Sequence, residues 1–144
     1  MKVLIVPCSM RSSLPTKRPA RRIHDILANI SSIEDYTDGL TEEVFSNNRM
    51  VVDAVERCLE RIAEAARKLG DEYDSAVPND IDLHAIRQFG SVLRHDYDSV
   101  DTKILWNVVA IELPKLKSAF KTLEAEHPLP KKETDADFDP FSDP

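Results

Sequence analysis

Glycine is scarce in this chain of 144 residues, which contains only three. At the average frequency of about 7%, a chain of this length would contain roughly ten. Sheet folds with many tight turns use glycine repeatedly, so the scarcity favours a helical fold. Because Gly39, Gly70 and Gly90 are isolated from one another, the chain cannot contain a Walker-type phosphate loop or a dinucleotide-binding GxGxxG turn.

Cysteine and metal-binding motifs are also sparse. The two cysteines, Cys8 and Cys58, have neither the number nor the spacing of a disulfide framework or a zinc site. None of the four histidines forms an i, i+4 pair with another histidine, and the HExxH motif is absent. The acids that follow His95 lack the glycine and the final glutamate of a calcium loop. We therefore expect no metal and no cofactor.

Long apolar runs are missing as well. No segment approaches the eighteen or so apolar residues that a membrane helix requires. The apolar run at residues 3–6 is stopped by Pro7, which makes it shorter than the apolar region of a secretory signal. We expect a cytoplasmic protein that does not enter a membrane.

Charge is unevenly distributed along the chain. The formal net charge is −7, but residues 1–22 carry six basic residues and no acid, whereas residues 23–126 carry −10 and residues 127–144 carry −3. Neutralisation of phosphates by Lys and Arg supplies the sequence-independent affinity for nucleic acids, so an acidic body repels them. An RNA contact is therefore expected to be local or to involve the basic N-terminal segment.

Proline content and apolar periodicity divide the chain into three parts. Residues 1–19 are rich in proline and basic residues and have no apolar period, which predicts a flexible basic leader. Residues 20–126 carry helical patterns and form the predicted domain. Residues 127–144 are rich in Pro, Asp and Lys, which predicts a disordered acidic tail.

The first three helices are predicted from apolar residues at helical spacing. The first spans 20–37 and ends near Gly39, and a short second helix begins after Thr41 as its N-cap. The third has the strongest pattern, because its apolar residues alternate steps of three and four up to a C-terminal cap at Gly70. These seam residues are Val52, Val55, Leu59, Ile62, Ala66 and Leu69.

Two further helices complete the predicted fold. The fourth runs from about Leu83 to Asp96 with Asp80 or Asp82 as its cap, after a loop through Pro78. The fifth runs over 102–126 with Asp101 as its cap, and Pro114 should kink or divide it. The pattern as a whole predicts an all-α protein, an antiparallel up-and-down bundle of four to five helices.

The end of the fourth helix concentrates residues with chemical potential. Ser91 and His95 are one turn apart and share a face, while Arg87 and Arg94 are two turns apart and share a neighbouring face. A neutral imidazole can take a proton from a hydroxyl nucleophile, and a guanidinium can hold phosphate oxygens. Spacing alone also fits a second interpretation, in which this is a polar helix end that only ties the following turn to the fifth helix.

Three blocks of the sequence resemble a known family. They are RRIHDILANISSIEDYTDGLTEEVF, DAVERCLERIAEAARKLG and IRQFGSVLRHDYDSVDTKILWNVVAIELPKLK. Together they look like the HepT-like branch of the HEPN ribonucleases, which are toxins neutralised by a minimal nucleotidyltransferase antitoxin. The resemblance covers residues 20–124 and implies a helical homodimer that cuts RNA without a metal, in a toxin–antitoxin system similar to type VII.

The family motif is an Arg, a stretch of four to six residues, a His, any residue and a Tyr. His95 and Tyr97 match its second half, but Gly90 stands where relatives place the phosphate-binding Arg. The resemblance implies that His95 activates the ribose 2′-hydroxyl, with Ser91 orienting it or the phosphate, and that the antitoxin attaches AMP to Tyr97. Arg94 is the preferred substitute for the missing cation. Because the motif's arginine is missing, a second arginine stays a candidate for the same role, and the chain could also be inactive.

The second candidate is Arg87. It lies about 12 Å from His95 along the helix, so it would serve the active site of the partner protomer or have no role in catalysis. Gly90 permits close approach either of a neighbouring helix or of the phosphate. The alternative function is a catalytically degenerate HEPN module that only binds a nucleotidyltransferase. The basic leader is a further candidate for non-specific contact with nucleic acid.

Overall fold

The computed structural model describes residues 18–95 and 100–130. Most of the predicted leader, most of the predicted tail and Tyr97 lie outside the described residues. Six α-helices make up most of the described chain. They are α1 (Pro19–Thr37), α2 (Glu42–Ser46), α3 (Arg49–Leu69), α4 (Leu83–His95), α5 (Thr102–Asn107) and α6 (Leu113–Glu126). No strand occurs within the described ranges, and the all-α prediction is confirmed.

Side-chain caps fix where several helices begin. The Thr41 hydroxyl accepts a hydrogen bond from the Val44 N–H at 3.3 Å, and the Asp101 carboxylate accepts one from the Lys103 N–H at 2.9 Å. Of the two candidate caps for α4, Asp82 serves, because its carboxylate accepts from the Ala85 N–H at 3.0 Å. Each cap satisfies a backbone donor that the first helical turn leaves unpaired.

The long helix α3 lies at the centre of the bundle. It packs against α1 on one side and α4 on another, while α1 also contacts α6, and the short α2 contacts α5. All six residues of the predicted seam of α3 are buried, as are Ile23, Ile26, Ile30 and Ile33 of α1. Burial of this apolar surface is the main source of stability for helices of this length.

Neighbouring long helices run antiparallel. Two contacts between α3 and α4 show this. Arg87 of α4 donates a hydrogen bond to Ala66 of α3, and the later residue Arg94 of α4 pairs with the earlier residue Glu64 of α3. The connection from α3 to α4 passes through Pro78, as the sequence predicts. It also contains a 3₁₀ helix, Asp71–Ala76, whose carboxylates at positions 71 and 74 bind the Arg87 guanidinium.

The predicted fifth helix is divided, as the proline indicated. A π-helical turn, Val108–Glu112, separates α5 from α6, and Pro114 lies in the first turn of α6. Proline lacks the N–H that would bond four residues back and its ring collides with that carbonyl. A wider turn directly before it relieves both problems, and π-turns are a common cause of breaks in helices. None of the described helices is both long enough and apolar enough to cross a membrane.

Candidate functional site

Helix α4 carries the residues that the sequence singled out. Leu83, Gly90 and Leu93 are buried in it, and Ile86 is partly buried. These positions recur at steps of three and four, so they share one face, and that face packs on α3. The remaining faces of α4 are free to present polar side chains toward solvent.

At Gly90, α4 lies directly against α3. A Cβ atom at position 90 would overlap the Cβ of Ala63. Of the two roles considered for this glycine, the structure supports the close approach of a neighbouring helix. Position 90 is buried against α3, so the glycine makes a packing contact where the resembled motif has an arginine. The structure shows no phosphate-binding surface at this position.

Ser91 and His95 lie on the outer face of α4. Both are exposed, and the one-turn spacing brings them onto the same side of the helix, together with His84 and Gln88. The Gln88 amide and the His84 ring are 3.0 Å apart. Within the described residues, neither Ser91 nor His95 has a side-chain hydrogen bond or an ion pair, so both are available to a ligand.

Arg94 lies beside His95 and is held only loosely. Its side chain is 40% exposed, and its Nη1 is 3.7 Å from a carboxylate oxygen of Glu64 on α3. Charge-assisted hydrogen bonds are about 2.7–2.9 Å long, so this is an ion pair without a tight hydrogen bond. A hydrogen bond from Arg67 and the nearby cations lower the pKa of Glu64, against the effect of its own desolvation. Arg94 can therefore turn toward an incoming anion at small cost.

Arg87 is used differently, because it fastens α4 to the end of α3. Its side chain is 11% exposed. The guanidinium donates to the carbonyl oxygens of Ala66 and Gly70 at 3.1 Å each and binds the carboxylates of Asp71 and Asp74. Each of these carbonyls also accepts a backbone N–H at 3.4 Å, so Arg87 adds a second hydrogen bond to acceptors at the end of α3. The structure thus gives Arg87 a structural role and does not bring it to His95.

An apolar groove of about 380 Å³ lies between α4 and the α5–π segment. Its lining includes Ile86 and Phe89 of α4 and Ile104 and Val108 of the segment that follows. Ile104 is 52% exposed, and Val92, one turn after Phe89, is 45% exposed. Helical spacing places Phe89 and Val92 on the face adjacent to that of His95.

Metal ligands are not gathered in the part of the chain that the structure describes. No group of three or more His, Cys, Asp or Glu side chains there could hold a metal ion. The buried thiol of Cys58 has a raised pKa, because burial disfavours the thiolate. A protonated, buried thiol is a poor nucleophile and a poor ligand.

The basic side chains opposite Arg94 were overlooked by the sequence reasoning. Arg94 lines a groove that also contains arginines of α1 and α3. The available signal is the recurrence of charged residues at helical spacing on the outer face of α3. Spacing within one helix could not show that α1 supplies the other wall.

Comparison with known proteins shows which family the chain is similar to. A family model described as Ribonuclease HepT-like matches residues 26–123. "Putative RNase MJ0125" of Methanocaldococcus jannaschii is 31% identical over 70% of this chain and 86% of its own length. "Probable ribonuclease HepT" of Thermococcus cleftensis is 31% identical over 70% of this chain and 91% of its own. No solved structure matches the chain at a significant level.

Proposed function

This chain belongs to the HepT-like ribonuclease family, and from that premise we propose that it is a metal-independent endoribonuclease. Its substrate is tRNA or mRNA, which it cleaves by transphosphorylation from the ribose 2′-hydroxyl. The observation that carries the proposal is the exposed group of Ser91, Arg94 and His95 at the end of α4, two of them without partners among the described residues.

Each residue of this group has a role in the proposed reaction. The neutral His95 imidazole takes the proton of the 2′-hydroxyl, and the 2′-oxygen attacks the adjacent phosphorus. The bond from phosphorus to the 5′-oxygen breaks, which leaves a 2′,3′-cyclic phosphate, and the 5′-oxygen receives the proton that His95 has taken and leaves as a 5′-hydroxyl. Arg94 leaves its loose pairing with Glu64 to stabilise the negative charge that builds on the phosphate. Ser91 orients His95 or the phosphate.

The apolar groove beside α4 supports a homodimer. We assign its cover to a second copy of the chain, since the exposed Val92 and Ile104 and the partly buried Phe89 form an apolar surface next to the His95 face. A symmetric pair places the same patch of both subunits in contact. The two His95 side chains then border one cleft, which excludes bulk water from the reacting phosphate and strengthens its interaction with Arg94.

A second candidate function is a non-catalytic module that only binds a nucleotidyltransferase. Gly90 favours it, because this position contributes a packing contact where the resembled motif has its phosphate-binding arginine. The two functions differ in one measurable respect. The enzyme is toxic to cells and cleaves RNA on its own, whereas the binding module does neither.

The chemistry of the cut is the direct test of the proposed reaction. We expect products that end in a 2′,3′-cyclic phosphate and a 5′-hydroxyl, and a rate that EDTA leaves unchanged. Substitution of the ribose at the cut position by 2′-deoxyribose should block cleavage there, because the nucleophile is then missing. Mass spectrometry of the products distinguishes these ends. A 5′-phosphate product, or loss of activity with EDTA, would contradict the proposal.

The antitoxin is proposed to be a minimal nucleotidyltransferase that adenylylates Tyr97. The phenol oxygen attacks the α-phosphorus of ATP, an oxygen–phosphorus bond forms, and pyrophosphate leaves. Added AMP places negative charge and bulk two residues from His95, which repels RNA. After co-expression with the nucleotidyltransferase, mass spectrometry should find AMP on Tyr97, and Tyr97→Phe should prevent it. Tyr36, which is 46% exposed, supplies the matched control in Tyr36→Phe.

The location of the modification decides between two ways of neutralising the toxin. Retained neutralisation of the Tyr97→Phe variant would mean that the antitoxin acts by steric cover of the cleft. Loss of neutralisation in that variant, but not in Tyr36→Phe, supports the covalent route.

A further inference from the structure

A groove of about 760 Å³ runs between α1 and α3 and reaches the end of α4. We call it the basic groove. Its charged lining consists of six cationic side chains, Arg21, Arg22, Arg57, Arg61, Lys68 and Arg94, and three carboxylates, Asp25, Glu60 and Glu64. The surplus of cations is local, since residues 23–126 together carry a net charge of −10.

The sequence builds this groove from one face of each long helix. On α3, positions 57, 61, 64 and 68 follow one another at steps of three and four, so they share a face that differs from the buried seam. On α1, positions 21, 25, 28 and 32 are spaced in the same way. From position 57 to position 68 the charged strip extends ~16 Å along the axis of α3, which makes the groove elongated.

Glu60 pairs with Arg57 alone, at 3.1 Å, but each of the other two carboxylates of the groove is shared between cations. Asp25 lies near two of them, at 3.5 Å from Arg21 and 3.2 Å from Arg22. Glu64 likewise lies 3.7 Å from both Lys68 and Arg94. Arg61 is exposed, and no ion pair or hydrogen bond involves it within the described ranges. Cations that share an acceptor or have none can exchange it for a phosphate.

The lining also indicates how a ligand is recognised. Apart from His24 it contains no ring on which a base could stack, and its neutral polar side chains are Asn29 and Ser32. Cations in a long groove without stacking platforms contact the backbone phosphates and do not read the base sequence. This fits a single strand that binds through its phosphates.

We propose that the basic groove binds the phosphodiester backbone of the RNA strand beside the cut and leads it to His95. The proposal rests on the proposed function, because Arg94 belongs both to the groove and to the candidate catalytic group. The strand lies along α1 and α3, and its end at Arg94 positions one phosphate next to the imidazole. The acidic remainder of the surface repels the strand elsewhere, so the strand binds along the groove.

The test measures binding in the full chain carrying His95→Ala, so that RNA is not consumed. The probe is a short single-stranded oligoribonucleotide of mixed sequence, titrated over a range of salt concentrations. Adding Arg57→Gln and Arg61→Gln should weaken binding by about 10-fold or more, and should reduce the salt slope by about 0.7 for each phosphate that is no longer neutralised. A deoxyribonucleotide of the same sequence should bind with similar affinity, because it has the same phosphates.

The matched control replaces two cations outside the groove, Lys115→Gln and Lys121→Gln, which change the net charge equally and are exposed on α6. Control binding should stay within about 2-fold of the His95→Ala parent, since distant surface charges are screened. Equal loss in both double variants, or no loss in the groove variant, overturns the proposal. Cleavage by His95→Ala together with weakened binding in the groove variant would refute the catalytic assignment and retain the groove.

Discussion

Replacing His95 by alanine should abolish RNA cleavage and leave the fold intact. The side chain is exposed and makes no described contact, so its removal should change the free energy of unfolding by no more than about 0.5 kcal/mol. General-base catalysis typically contributes a factor of about 10²–10⁴, and the cleavage rate of His95→Ala should fall by at least that factor. The cleavage rate is measured with labelled RNA. Sedimentation measures self-association of the chain, which the substitution should leave unchanged.

His84→Ala is the matched control for this prediction. His84 lies on the same exposed face of α4, and its ring is 3.0 Å from the Gln88 amide. Its replacement removes an imidazole from the same helix without touching the candidate catalytic group, so cleavage should continue at the wild-type rate. Undiminished cleavage by His95→Ala, or an equal loss in both variants, would refute the role of His95. A wild-type chain that never cleaves RNA would favour the binding module.

The sequence predicted the helices well because their signals are local. Apolar spacing in α1 and α3 requires only that one face be buried, and the caps at Thr41 and Asp101 act within one turn. Pro114 predicted a break, because the missing N–H is a property of that residue alone. The π-turn that makes the break lies before the proline, where the wider backbone accommodates the ring, and no residue type marks such a turn.

The site was only partly predictable for the same reason. Ser91 and His95 are one helical turn apart, so their shared face followed from helix geometry. The role of Arg87 depends on carbonyls of α3 that are 17 and 21 positions away in the sequence. The basic groove likewise depends on α1 and α3 lying side by side. Such contacts between helices are set by packing, and the spacing within a single helix contains no information about them.

Substitution of Gly90 should destabilise the protein because the helices α3 and α4 touch at this position. In an exposed helix, replacing glycine by alanine stabilises by about 1 kcal/mol. Here the added methyl group overlaps the Ala63 Cβ, and overpacking of this kind costs about 1–3 kcal/mol. We therefore expect Gly90→Ala to lower the free energy of unfolding, and Gly90→Arg to lower it more. Urea denaturation followed by circular dichroism measures both.

Ala63→Gly provides the control, because it removes the atom that the new side chain meets. It should cost about 1 kcal/mol alone, yet the double variant Gly90→Ala with Ala63→Gly should be more stable than the two separate changes predict when added. Such coupling is expected only between residues in contact. Additive effects would contradict the close contact between the helices, and this outcome remains measurable even if Gly90→Arg does not fold.

The same substitution also tests what the motif has lost. An arginine at position 90 would point toward α3, away from the face that presents Ser91 and His95, so it should add nothing to cleavage even where the variant folds. A large gain in cleavage by folded Gly90→Arg would mean that the helix can turn to expose this position and that the natural chain lacks its phosphate-binding cation. No gain, together with loss of cleavage on replacing Arg94 by Gln, means that the cation has moved four positions along α4. The packing of α4 on α3 then explains the move, because position 90 is buried against α3 whereas position 94 is exposed beside His95.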